Sequence, residues 1–322
     1  MFLEKDTLEL LEKFFESRKE NTRLAYAYLI NNLSNRYKKD IFSLSQAQID
    51  EFVFSIGDKN DRTFNDYTGY LKALYSFYDK NNNTDRYSMV CSICRKRVDY
   101  DRLANRVPLK EELDKVLFYL QSENDFVSFL PLLMVFKLGL TTGDIEKMTN
   151  DQVLTQSGQC YIVLPKIGQL RERKIPVPDD IVKIIVAYNN LYGRPLGNKF
   201  FVNKRGKDLS ARVAQKYLKE ACIGADVKPF SLNDVRNLGI PYLLASGKSR
   251  EDVSKMTGTG TEWYGKYDEL VSKYHGEQDR KIQGVKELFP MVESGKMTKE
   301  KVFELLGIAP WEVDEIIKAA EV

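Results

Sequence analysis

Two residue types in one stretch carry most of the available chemistry. Between Phe230 and Tyr267 the sequence sets Arg236 near the start of a predicted helix and Tyr264 and Tyr267 about two short helices later. The stretch opens on a polar cap, Gly247 is a stop signal, a second short helix carries Val253 and Met256, and a Gly/Thr turn precedes the tyrosines. A guanidinium is a planar fork suited to phosphate oxygens, and a phenol can act as a nucleophile. An arginine opening a buried helix, with a tyrosine held behind it, can therefore set a phosphate clamp beside a phenol. Plainer uses stay open. Arg236 can pair with Asp234 or a helix end, and in a chain with 18 tyrosines, Tyr264, Tyr267 and Tyr274 also fit core positions, as does Trp263.

Other chemistries are poorly supplied. His275 is the only histidine, which excludes a His-rich metal centre and any His-dependent triad not built on it. Of the four cysteines only Cys91 and Cys94 are close, and C-S-I-C lacks the second pair that a zinc site needs. No metal and no cofactor are expected. So few cysteines in so long a chain argue for a reducing, cytoplasmic compartment. No apolar run approaches the roughly 20 residues that cross a bilayer, and the first residues lack a basic lead and apolar core, so no membrane association is expected. A formal charge of +3 with 30% charged residues describes a solvated surface and leaves nucleic-acid binding undecided.

The elements that must position these residues follow from length and periodicity. A chain of 322 residues with 43% hydrophobic content suits two domains and an appendage. Residues 1–85 read as short amphipathic helices, with Leu11 and Phe14, then Tyr26, Leu29 and Leu33, then Ile49 and Phe52, then Leu71, Leu74 and Phe77 at helical spacing. Residues 86–107 are rich in arginine and read as a basic linker. An apolar helix follows from Phe126 to Leu138. The period then changes: Cys160–Leu164 and Arg173–Val177 predict two paired strands with a turn at Ile167–Gln169. Helices return after Pro178 and Ser210, and residues 276–322 form a helical tail.

This order resembles the tyrosine recombinase (phage integrase) family over roughly residues 10–275. The phrases T-R-L-A-Y-A-Y-L and T-F-N-D-Y-T-G-Y-L-K-A-L-Y-S-F-Y are similar to the family's core-binding domain, and G-L-T-T-G-D-I-E-K-M to its T-G-L-R-x-x-E-L-x-x-L. The stretch R-K-I-P-V is similar to the end of its hairpin, and F-S-L-N-D-V-R to H-x-L-R-H. The resemblance implies a mainly α fold with a small antiparallel β-hairpin or sheet. It implies a helical, SAM-like core-binding domain at 1–85, the linker at 86–107, an integrase-type catalytic domain at 108–275 and the extension at 276–322. The family joins DNA to a tyrosine through a 3'-phosphotyrosyl link, without metal or nucleotide.

Transferred slot by slot, the resemblance puts Thr141 at the first catalytic arginine, Lys166 at the hairpin lysine, Asn233 at a histidine, Arg236 at the second arginine and Thr259 at the later histidine or tryptophan. Tyr267 matches the nucleophile by spacing, with Tyr264 as its rival. Threonine has no charge and cannot grip a phosphate with a fork. Removing one preorganised donor costs about 2.7–4 kcal/mol of transition-state stabilisation, and here an arginine and two histidines are replaced together. Gly239 and Pro241 are also unusual inside the helix carrying Arg236. The expectation is a double-stranded DNA-binding homologue with impaired or absent cleavage. The alternatives are an active recombinase in which Arg171 or Arg173 supplies the missing charge, and a helical interaction protein that does not bind DNA. DNA contacts are expected from Arg23, Lys72, Arg95, Lys96, Arg97, Arg171, Arg173, Lys174, Lys204 and Arg205. The tail is expected either to mediate self-association or to pack on its own domain.

Overall fold

The computed structural model describes residues 2–57, 61–96, 107–165 and 172–321. The chain divides into two compact units, Met1–Asp99 and Tyr100–Val322.

The first unit is helical: α1 (Lys5–Glu16), α2 (Glu20–Tyr37), α3 (Gln46–Ser55), α4 (Asp61–Asn82) and the short α5 (Ser88–Cys91). Its core is the apolar set that helical spacing predicts, including Phe14, Leu29, Leu33, Ile49, Phe52, Leu71 and Leu74. Ser45 and Gln48 close a capping box at the start of α3. The expected linker is partly folded here. Val90 is buried in this core. Lys72 donates through Nζ to the carbonyls of Cys91 (2.9 Å) and Ile93 (2.7 Å), and Asn65 bonds the backbone of Lys96 in both directions at 2.8 Å. Residues 86–96 thus belong to the first unit, because buried apolar side chains and satisfied carbonyls outweigh the loop-like composition.

In the second unit, α6 (Lys110–Ser122), α7 (Phe126–Leu138) and α8 (Thr142–Lys147) precede a three-stranded antiparallel sheet. Its order is β1 (Val153–Gln156), β2 (Gln159–Leu164), β3 (Arg173–Pro176), and β1 is a strand the sequence reading did not predict. Then come α9 (Asp179–Tyr192), α10 (Ala211–Gly224), α11 (Leu232–Ala245), α12 (Arg250–Thr257), a 3-10 segment (Thr261–Tyr267), α13 (Asp268–Glu293), α14 (Lys299–Leu306) and α15 (Val313–Ala320).

Helix α7 is buried on all sides from Val127 to Leu138, apolar but for Ser128 and Lys137, and forms the axis of the core. Helix α11 crosses it so closely that a Cβ at Gly239 would lie 2.2 Å from the carbonyl oxygen of Phe136. That approach explains Gly239. The helix continues through Pro241 rather than ending there.

Helix α13 runs unbroken through the expected boundary at residue 275. The tail beyond it folds back on its own unit. Trp311 lies in the main core against Phe118 and Phe129, while Val285, Phe289, Val302, Ile308, Ile316 and Ala320 form a smaller cluster. Buried charges fasten it. Glu312, 1% exposed, pairs with Lys110 (3.2 Å) and Lys281 (2.9 Å) and accepts from the Tyr242 hydroxyl. Lys137 pairs with Glu315, and on the surface Lys183 pairs with Asp314 at 3.1 Å. No described helix is long and apolar enough to cross a membrane.

Candidate functional site

The site forms where the ends of α7, α11 and α12 meet. Ser231 and Asp234 close a capping box at the start of α11, which fixes the turn carrying Arg236. Arg236 donates through Nε to the carbonyl of Gly139 (2.9 Å) and through Nη2 to the carbonyl of Thr257 (2.6 Å) and to Thr259 Oγ1 (2.9 Å). Gly139 ends α7 with φ of 66°, and a Cβ there would lie 2.5 Å from Thr257 Cγ2. Glycine is needed for both reasons. The Arg236 guanidinium is held below its ordinary pKa, first by burial and then by the neighbouring Arg173 charge.

Both candidate tyrosines point inward. Tyr264 is buried, its hydroxyl 3.3 Å from Thr257 Oγ1 and donating to the carbonyl of Thr259 at 3.2 Å. Tyr267 is 3% exposed and donates to Asn237 Oδ1 at 3.0 Å. Burial pushes the Tyr267 phenol up to about 12, Arg236 offsetting part of that, and burial also raises Tyr264. Neither phenol is activated in this arrangement, since desolvation favours the neutral form.

Thr141 is a helix cap. Its hydroxyl and the Asp144 carboxylate close a capping box on α8, with Thr141 N donating to Asp144 Oδ2 at 2.7 Å. The other carboxylate oxygen of Asp144 accepts from Arg173 Nη2 at 2.6 Å. Arg173 was expected to meet DNA. It is instead 4% exposed, and its Nη1 donates to the carbonyls of Met256 (3.3 Å) and Thr257 (3.4 Å). The reason is the strand period: Arg173 shares the inner face of β3 with the buried Ile175. Arg173 and Arg236 thus converge on one carbonyl, and the charge of Arg173 is met by Asp144. Sequence reasoning missed Asp144. The T-x-x-D spacing marks it as a capping residue, and the alternation with Ile175 and Val177 marks Arg173 as inward.

The structure brings together Arg236, Thr259, Tyr264, Tyr267 and, one helix away, Thr141. Asn233 is exposed on the first turn of α11. Lys166, Arg171 and Arg97 lie outside the described residues.

Several expected DNA contacts bond within the protein. Arg23 closes the end of α1 through the carbonyls of Arg18 (2.7 Å) and Glu16 (3.2 Å). Lys72 holds residues 91–93, as described above. Lys96 donates to the Gly57 carbonyl and lies over the Phe64 ring. Lys204 pairs with Asp125 at 2.7 Å, and Lys174 bonds Gln156 at 2.6 Å while remaining exposed. Arg95 and Arg205 are exposed. Backbone carbonyls take Arg23, Lys72 and Lys96, because leaving carbonyls unpaired is costly.

The fold is that of the tyrosine recombinases and integrases. Solved structures that share it include a lambda integrase fragment dimer bound to a COC' core site, at 16% identity and TM-score 0.61, covering 83% of this chain and 94% of that one. The XerH site-specific recombinase bound to difH substrate in a pre-cleavage complex matches at 15% identity and TM-score 0.59, covering 83% of this chain and 87% of that one. The Tn1549 transposon integrase in complex with transposon right end DNA matches at 15% identity and TM-score 0.57, covering 84% and 98%. No protein-family model and no curated protein sequence matches this chain.

Proposed function

We propose that this chain is a DNA-binding protein of the tyrosine recombinase type whose strand cleavage is impaired or absent. One observation carries the second part. Thr141, which the resemblance puts at the position of the first family arginine, is spent on a helix cap, while both candidate nucleophiles are buried and bonded inward. Arg236 persists, but it enters with its Nε and Nη2 engaged by protein oxygens. The DNA-binding part is supported by the shared fold and by structural neighbours solved on DNA sites.

A second reading, an active recombinase with a rearranged pocket, draws on Arg173, which brings a second guanidinium to the Thr257 carbonyl. Its burial and its pairing with Asp144 weigh against that reading, since little of its charge is left for a phosphate. The buried pairs of Glu312 hold the tail on its own unit, which favours packing over subunit exchange for this segment.

Two measurements test this. Duplex DNA should be retained in a filter assay, with affinity falling steeply as salt rises. Salt-independent or absent binding would instead support an interaction protein that does not use DNA. A suicide substrate nicked beside the scissile phosphate should give no covalent protein–DNA adduct. An adduct that disappears in Tyr267→Phe or Tyr264→Phe would overturn the impaired reading.

A further inference from the structure

We infer that Tyr264 is a positioning residue: its hydroxyl locks the turn Thr257–Gly258–Thr259 and so aims Arg236 at a DNA phosphate. The inference rests on the DNA-binding reading above, and it gives one of the two candidate tyrosines a duty other than attack on phosphorus. A closed ring of hydrogen bonds carries it. Each threonine of the turn offers one oxygen to the guanidinium and the other to the phenol. The Thr257 carbonyl accepts from Arg236 Nη2 (2.6 Å), and its hydroxyl lies 3.3 Å from that of Tyr264. Thr259 reverses the pattern: its hydroxyl accepts from Nη2 (2.9 Å) and its carbonyl accepts from Tyr264 (3.2 Å).

The ring joins α11, the end of α12 and the 3-10 segment. Thr257 Oγ1 ties the turn down further, donating to the Val253 carbonyl (2.8 Å) and accepting from the Thr259 amide (3.2 Å). Thr257 and Tyr264 are both 0% exposed, and a polar group left unpaired at such depth is costly. Tyr267 stands outside the ring, bonded to Asn237 on α11. What the ring leaves open is one edge of the guanidinium. Nε is held by the Gly139 carbonyl and Nη2 by the turn, while among the described residues Nη1 has no hydrogen-bond partner. Arginine has a flexible stem, and such a group meets an anion in one geometry only when the bonds around it lock its rotamer. With Nε and Nη2 fixed, Nη1 is the nitrogen presented to a phosphate oxygen. Removing the Tyr264 hydroxyl opens the ring at Thr259, and the turn that carries both acceptors of Nη2 is free to shift.

The test uses the full-length protein and reads Arg236 directly. Its guanidinium 1H–15N signals are assigned by their loss in Arg236→Lys. In the wild type the Nη2 signals should stand apart from those of Nη1, because the ring stops rotation about the Nε–Cζ bond. In Tyr264→Phe they should merge, while the Nε signal, held by Gly139, stays in place. Thr257→Val, which removes the hydroxyl facing Tyr264, should act as Tyr264→Phe does, and Thr257→Ser should keep the wild-type spectrum. Nη signals unchanged in Tyr264→Phe and Thr257→Val overturn the inference. Duplex affinity is then measured in a double-mutant cycle. Tyr264→Phe should weaken binding about tenfold in the wild-type background and leave Arg236→Gln unaffected. Equal weakening in both backgrounds marks a general structural loss, and no weakening in either shows that the ring does not serve DNA; each overturns the inference and leaves the DNA reading standing. If the wild type binds no duplex, the DNA reading falls and takes the phosphate with it, and the Nη signals alone decide whether Tyr264 positions Arg236.

Discussion

Glu312 is the residue whose loss the second unit should feel most. The side chain is 1% exposed and receives four donors: the Tyr242 hydroxyl, Lys110 Nζ at 3.2 Å, Lys281 Nζ at 2.9 Å and the Ala309 backbone N–H at 3.0 Å. Replacing it with alanine leaves Lys110, itself 4% exposed, with Asp114 alone, and strands the Tyr242 hydroxyl and the Ala309 amide. Removing one partner of a buried pair costs about 3–5 kcal/mol, because the other charge stays buried and uncompensated. The pKa argument agrees in size. Burial raises the Glu312 carboxyl, but Lys110 and Lys281 outweigh it and hold the group at about 2 against an ordinary 4.5. At about 1.4 kcal/mol per unit, that shift corresponds to about 3 kcal/mol. A carboxyl with a depressed folded pKa stabilises above its unfolded value. The contribution is therefore present above about pH 4.5 and fades as pH falls toward about 2.

The assay is urea unfolding followed by the fluorescence of Trp311, which adjoins Glu312 and lies in the core, with hydrogen exchange across 299–320 to localise the loss. Glu312→Ala should destabilise by about 3–5 kcal/mol at pH 7. Lys110→Met with Glu312→Leu should recover only part of that, since an apolar pair removes two desolvation penalties but still strands the Tyr242 hydroxyl, the Ala309 amide, Asp114 and Lys281. A Glu312→Ala protein within about 0.5 kcal/mol of wild type would refute the reasoning, as that is the range of ordinary surface substitutions.

Three further outcomes follow from the site and its frame. Asp144→Ala removes both the partner of buried Arg173 and the α8 capping box; urea unfolding should show a loss of about 3–5 kcal/mol, and a loss under about 1 kcal/mol would mean Arg173 finds water. Gly239→Ala forces a Cβ to 2.2 Å from the Phe136 carbonyl, so thermal unfolding should drop by about 1–3 kcal/mol as α7 and α11 separate. The Tyr267 phenol rises from 10 to about 12 in the folded protein. Its contribution is whole below pH 10 and lost as pH climbs toward about 12, so Tyr267→Phe should flatten the alkaline limb of stability, and an unchanged limb would show the phenol is not buried.

How much of this was legible beforehand can be read from particular residues. Helical spacing put Phe14, Leu29, Ile49 and Leu71 at core positions, and a polar cap marked the head of the Arg236 helix, because a 3.6-residue period and a cap are local properties. The two flanking strands of the hairpin were legible for the same reason. The T-x-x-D cap at Thr141 and the inward parity of Arg173 were also written in local pattern, but matching Thr141 and Arg173 to family positions hid them.

Other features are not local. Gly239 looks like a flaw in a helix until α7 is seen to approach within contact of it. Nothing in residues 86–96 announces that Lys72 and Asn65, far back in the chain, will satisfy their carbonyls and amides. The chain's own residues determined its helices and its hairpin. Only tertiary structure decided that Glu312 meets Lys110 across 202 positions and that Tyr264 and Tyr267 turn inward. Periodicity and capping act over a few residues, whereas desolvation and ion pairing depend on which distant segments the packed core brings into contact.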